Sequence, residues 1–250
     1  MKLNTISTRI HSVETGGAVD GPGMRYVVFM QGCPLRCKFC HNPDTWNAKG
    51  GQPKNLSELW KDILKYKPFM QFSNGGITVS GGEPLLHKEF ITFLFELAKQ
   101  ADIHTAIDTS GYTNIDDELD VLLTATDLVL LDIKHLDSDK HLDLTGVNNN
   151  KTLALLDHLR DLKINTWVRW VVLPGFNDSD EYAKRFADFI KDYDNVELVE
   201  LLPYHEMGKY KWQEIGLKYE LEGMSEPTKK DIQRIAAILH SQGIKTLGDY

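Results

Sequence analysis

One repeating unit limits what this chain can become. A short run rich in Val, Ile, Leu and Thr leads into a polar loop, and then into an amphipathic stretch of helical period. The strand candidates are 25–30, 76–80, 104–108, 127–133, 165–173 and 196–202. The helix candidates are 56–66, 88–100, 116–123, 151–162, 180–191 and 228–242. Most of the strand runs lack strict alternation, as strands buried on both faces do. Strands alternating with helices argue for an α/β fold, a parallel sheet with helices outside it. Eight such units in about 250 residues make a complete barrel, so six units behind an N-terminal extension predict a partial (β/α)6 barrel. A doubly wound sheet has the same period and stays open as an alternative. At 250 residues the expectation is a single domain: an extension over about 1–24, a core over about 25–205, and a C-terminal helix and tail over about 206–250.

The unusual polar residues fall after the ends of these strands. The first strand leads to Cys33, and the second to Gly81-Gly82-Glu83-Pro84. The third ends in Asp108-Thr109-Ser110-Gly111, and the fourth in Asp132-Ile133-Lys134. The fifth carries Arg169, and the sixth ends at Pro203-Tyr204-His205. Folding alone does not require charges at one end of consecutive buried strands, whereas barrels and open α/β sheets build their active sites at that edge.

The chain's only cysteines are Cys33, Cys37 and Cys40, in the run Cys33-Pro-Leu-Arg-Cys37-Lys-Phe-Cys40-His-Asn. Thiolates are soft ligands for iron–sulfur clusters, zinc or Cu(I). Three on one loop can hold three irons of a [4Fe–4S] cube and leave the fourth open to bind and reduce something. Zinc is the alternative, with His41 as fourth ligand, although His41 directly follows Cys40 and is awkward to place in the same tetrahedron. An odd cysteine count in a chain of this length fits a disulfide framework poorly.

Net charge is −8, which gives no general footprint for nucleic acid. The N-terminal residues hold no apolar core of signal-peptide length, and no run approaches a membrane span. The expectation is a cytoplasmic protein with no membrane partner, a setting that keeps thiols reduced.

The Cys-x-x-x-Cys-x-x-Cys spacing resembles the signature of the radical S-adenosylmethionine (SAM) enzymes, and Gly81-Gly82-Glu83 resembles that family's "GGE" element. Asp20-Gly-Pro-Gly, by itself a tight turn, is similar to the signature of the family's glycyl-radical enzyme activases. The resemblance runs almost end to end, from His11 through Trp212 and beyond. It implies a partial barrel open on one side, a [4Fe–4S] cluster on Cys33, Cys37 and Cys40, and SAM chelated at the open iron. Electron transfer to the sulfonium then gives a 5′-deoxyadenosyl radical, which abstracts hydrogen from a glycine of pyruvate formate-lyase. Reduced flavodoxin or ferredoxin supplies the electron. Activases with extra clusters carry additional cysteines between the first motif and Gly81, and this chain has none between Cys40 and Gly81.

The same resemblance implies residue roles. Phe39, His41, Gly81, Gly82, Glu83, Asp132, Ile133, Lys134 and His205 match SAM-contacting positions, with Lys134 close to the reacting cofactor. Asp108 and Asp132, with main-chain carbonyls at Thr109 and Leu130, match a monovalent-cation site; hard oxygen ligands suit such an ion. Asp20, Thr109 and Arg169 match positions that meet the substrate peptide. Simpler readings stand beside these: an ion pair between Asp132 and Lys134, a structural His205, and a core-edge ion pair for Arg169.

Overall fold

The computed structural model describes residues 5–248. The chain divides into two compact units, Met1–Pro34 with Thr45–Leu130, and Leu35–Asp44 with Leu131–Tyr250.

In the first unit the strands are β1 (Ser7–Gly17), β2 (Arg25–Met30), β3 (Gln52–Asn55), β4 (Gly76–Gly81) and β5 (His104–Thr109), hydrogen-bonded in the order β3-β1-β2-β4-β5. β1 runs antiparallel to β2 and β3, while β2, β4 and β5 are parallel. Arg25, Gly76 and His104 stand side by side where these three strands begin, and Met30 lies beside Gly81 where two of them end. Cys33 and Gly82 therefore leave the same edge. Val27, Val28, Met30, Ile77, Val79, Ala106 and Ile107 are all buried, in keeping with the apolar runs in the sequence.

The unit's helices are α1 (Leu56–Ile63), α2 (Lys67–Phe72), α3 (Lys88–Gln100) and α4 (Asp117–Thr124). Asn55 starts α1 by accepting from the Ser57 amide, and Asp116 starts α4 by accepting from Leu119. α3 buries Phe90, Ile91, Leu94, Phe95 and Ala98 along one face. β6 (Leu128–Asp132) carries the division between the units, after Leu130.

The second unit continues with α5 (Ser138–Thr145), α6 (Asn150–Asp161), β7 (Thr166–Val172), α7 (Asp180–Ile190), β8 (Val196–Pro203), α8 (Lys209–Glu214), α9 (Lys229–Ser241) and β9 (Thr246–Leu247). β7, β8 and β9 are parallel. Thr228 and Asp231 close a capping box at the start of α9, just after Pro227.

All six strands expected from the sequence are present, each within two residues of its expected bounds. The expected helices are also present, the first shortened at Ile63 and continued as a 3-10 turn. The elements beyond that expectation are short or largely exposed, α2 among them, which buries only Met70. β1 is mostly exposed, so it carries no buried apolar run. α5 and α8 are short and bury few residues, His141, Leu144 and Thr145 in one and Trp212 in the other.

Candidate active site

In the first unit, main-chain bonds fix the approach to Cys33. Gly32 N donates to Thr45 O at 2.7 Å and Cys33 N to Trp46 O at 3.4 Å. Gly82 N reaches Met30 O at 3.0 Å, and Glu83 N reaches Gly32 O at 2.8 Å. The Gly-Gly turn is thus stitched to the strand that delivers the first cysteine. Gly81 adopts φ +118, where a side chain is strained. A Cβ on Gly82 would stand 2.2 Å from Gly32 O and 3.3 Å from Cys33 Cβ. Nothing larger than glycine fits between these two segments.

Glu83 is fully buried, and its carboxylate faces protein donors. Thr109 Oγ1 donates to it at 2.5 Å, Ser110 Oγ at 2.5 Å, and the amides of Ser110 and Leu85 at 3.0 Å each. Desolvation raises its pKa, and the four donors pull the other way. The residue clamps the loop after β4 to the loop after β5. Ser80 Oγ donates to Asp108 Oδ2 at 2.5 Å, so Asp108 also sits between these two strands. Leu130 is wholly buried. Asp20 is placed differently. Its main-chain oxygen accepts from Thr78 Oγ1 at 2.6 Å, and its charge acts on Arg25, where β2 begins.

In the second unit, the later cysteines are held from several sides. Arg36 N donates to Thr145 O at 2.7 Å and Lys38 N to Leu144 O at 2.9 Å, so the end of α5 carries the loop. Trp212 Nε1 donates to Cys40 O at 2.8 Å, and Lys211 Nζ to Asn42 Oδ1 at 2.6 Å. His41 stacks on His205 with ring centroids 4.1 Å apart, and its Nε2 bonds to His205 O at 3.0 Å. Burial is the main cause that lowers the His41 pKa. Lys134 Nζ lies 5.4 Å above the Phe39 ring and 2.8 Å from Asp132 Oδ2. Ile133 N donates to Arg169 O at 3.1 Å. Arg169 Nε donates to Glu200 Oε2 at 2.7 Å, both side chains being buried.

The structure thus brings together Cys33 with Gly82 and Glu83 with Thr109 in the first unit. In the second it joins Phe39 with Lys134 and Asp132, and His41 with His205. Both ion pairs anticipated as simpler readings are formed. Sequence alone assigns Ser110, Trp212 and Thr145 no individual role. Ser110 sits one residue from a singled-out position, while Trp212 and Thr145 reach the loop only through the fold.

The donor set suits an iron–sulfur cluster. None of the three cysteines is in a disulfide, Cys37 is buried, and Cys33 and Cys40 are half-buried. Gly82 keeps the ground beside Cys33 clear of any side chain.

Comparison with known proteins agrees. Residues 27–187 match the model of the Radical SAM superfamily. The pyruvate formate-lyase 1-activating enzyme of Escherichia coli (strain K12) is 44% identical over 240 residues, covering 96% of this chain and 98% of that one. The chain belongs to the radical SAM superfamily, among the pyruvate formate-lyase activating enzymes. The Listeria monocytogenes relative of that name is 45% identical over 248 residues, covering 97% of this chain and all of its own. A solved domain of the Bacteroides vulgatus activating enzyme matches with TM-score 0.58 at 27% identity, over 69% of this chain and 98% of that domain. Streptococcus suis SuiB, bound to its precursor peptide, shares the fold with TM-score 0.69 at 18% identity, over 92% of this chain and 49% of SuiB. The fold is thus the α/β fold of the radical SAM family, with a [4Fe–4S] cluster and SAM as its cofactors.

Proposed function

We propose that this chain installs the glycyl radical on pyruvate formate-lyase. One observation carries the reading: three cysteines outside any disulfide at 33, 37 and 40, the first of them beside a glycine that admits no side chain, in a chain nearly half identical to activating enzymes along its length. With SAM bound, the cluster supplies one-electron cleavage of the sulfonium to methionine and a 5′-deoxyadenosyl radical.

The protein's part is holding and orienting. Cys33, Cys37 and Cys40 are the cluster ligands. The main chain at Gly81 and Gly82, together with Asp132, Ile133, Lys134, Phe39, His41 and His205, forms the SAM site. Lys134 offers its cation beside an aromatic face, a setting suited to a carboxylate and an adenine. Glu83 serves that site through the loops it clamps. Asp108, Asp132 and the carbonyls of Thr109 and Leu130 are the oxygen ligands of a monovalent cation. Asp20, Thr109 and Arg169 meet the main chain of the glycine-bearing peptide. The reductant is a flavodoxin or ferredoxin, and the setting is the cytoplasm, where thiols stay reduced. No helix among the described residues is long and apolar enough to cross a membrane.

The test is activation. Anaerobically reconstituted protein, SAM, reductant and purified pyruvate formate-lyase should give a glycyl-radical signal by electron paramagnetic resonance. SAM consumption without that signal would point instead to a small-molecule substrate.

A further inference from the structure

Arg25 opens β2 and is wholly buried. Its Nε donates to Thr78 Oγ1 at 2.9 Å, and Nη2 donates to Ile77 O at 2.6 Å. Nη1 donates to Pro22 O at 3.2 Å and lies 3.3 Å from His104 Nδ1. Thr78 Oγ1 in turn donates to Asp20 O at 2.6 Å. The guanidinium therefore grips the Asp20–Gly23 turn at two points, Pro22 directly and Asp20 through the Thr78 hydroxyl. The turn's far end is seated as well. Met24 N donates to Ser73 Oγ at 2.8 Å, and Gly23, at φ +66, would place a Cβ 2.4 Å from Ser73 O. Burial lowers the Arg25 pKa to about 10, with Asp20 and Asp127 opposing, so the cation persists at neutral pH. An apolar side chain could fill this space without the cost of desolvating a cation. A forked donor can do what an apolar chain cannot, which is to bond Pro22 O of the turn, Ile77 O of the neighbouring strand and the Thr78 hydroxyl that holds Asp20 O, all at once.

We propose that Arg25, acting through Thr78, is a positioning residue for the protein substrate: it holds the Asp20 turn ready to meet the main chain of the glycine-bearing peptide. The inference rests on the reading that Asp20 contacts that peptide. Fixing the turn beforehand removes the entropy of ordering it from the cost of binding. Loss of the pin should weaken peptide recognition and leave SAM cleavage intact.

The experiment uses reconstituted holoenzyme and a peptide carrying the radical-site glycine loop of pyruvate formate-lyase. Two rates are followed, SAM cleavage without peptide and peptide-dependent turnover. Arg25→Lys keeps the charge but loses the fork. Thr78→Val keeps the shape but loses the hydroxyl, and carries the test should Arg25→Lys fail to fold. Both should raise the peptide KM about tenfold, one good hydrogen bond's worth, with uncoupled SAM cleavage within about twofold of wild type. Thr78→Ser should restore the KM. If Asp20→Asn raises the KM while Arg25→Lys and Thr78→Val leave it unchanged, Arg25 is merely structural and the proposal falls. An unchanged KM in Asp20→Asn overturns the reading of Asp20 and the proposal with it. A parallel fall of both rates in Thr78→Val would mean a general disturbance and also overturn it.

Discussion

Replacing Gly82 with alanine tests how the cysteine strand and the Gly-Gly turn are joined. Gly82 lacks a left-handed φ, so alanine meets no backbone strain there. The whole effect comes from its Cβ, 2.2 Å from Gly32 O and 2.8 Å from Gly32 C. An ordinary carbon–oxygen contact needs about 1 Å more, and the obstacle is main chain rather than a flexible side-chain end. One segment must move, stretching the 2.8 Å bond from Glu83 N to Gly32 O. Overpacking of this kind costs about 1–3 kcal/mol. For a chain of this size that corresponds to a fall in Tm of about 2–12 °C. The displacement falls on the residue before Cys33, so iron retention should drop as well. The assay is thermal unfolding of the apo form, with iron and sulfide content after reconstitution. Gly16→Ala is the control, because a Cβ there meets nothing within 4 Å. If Gly82→Ala unfolds within about 1 °C of wild type and keeps its full iron content, the packing argument is wrong.

Gly208→Ala would place a Cβ 2.6 Å from His41 Cα, so we expect a shifted cluster signal by electron paramagnetic resonance and weaker SAM binding by titration. Arg169→Met should destabilise by about 3–5 kcal/mol in urea unfolding, because it removes one partner of a buried ion pair. Arg169→Met with Glu200→Leu should recover most of that stability but not peptide-dependent turnover; recovery of both would make the ion pair purely structural. His135 and His141 are buried, and desolvation lowers both pKa values, so unfolding takes up protons below the ordinary histidine pKa. Stability is therefore present above about pH 6.5 and lost as pH falls, by up to about 1.4 kcal/mol per pH unit for each histidine. Denaturant titrations at pH 7.5 and 5.5 should show a smaller difference in His141→Gln than in wild type.

The parts of the fold legible in the sequence were those buried on both faces. β2 and β6 are apolar runs with a charged residue at one end, β4 carries Ile77 and Val79 and is buried nearly throughout, and each lay close to its expected bounds. β1 escaped notice because most of it faces outward, and pairing with β2 and β3, not composition, makes it a strand. α5 escaped because its hydrophobic content is low; Asp137 caps its start by accepting from the Asp139 and Lys140 amides. The candidate site divides in the same way. Cys33, Cys37, Cys40 and Gly82 announce themselves by type and spacing. The partners that hold their loop, such as Thr145 O on Arg36 N and the Trp212 indole on Cys40 O, lie far along the chain and carry no local signal. Glu83 shows a third case. Its place in a Gly-Gly-Glu run pointed toward a ligand, yet its carboxylate is occupied by Thr109, Ser110 and Leu85.

The most direct measurement is 5′-deoxyadenosine release from SAM by anaerobically reconstituted protein under strong reductant, beside a Cys37→Ala control. The wild type should release 5′-deoxyadenosine and methionine in equal amounts, and the control neither. A wild-type protein that holds iron and sulfide yet leaves SAM intact, or a control that cleaves SAM as fast, would contradict the proposed function.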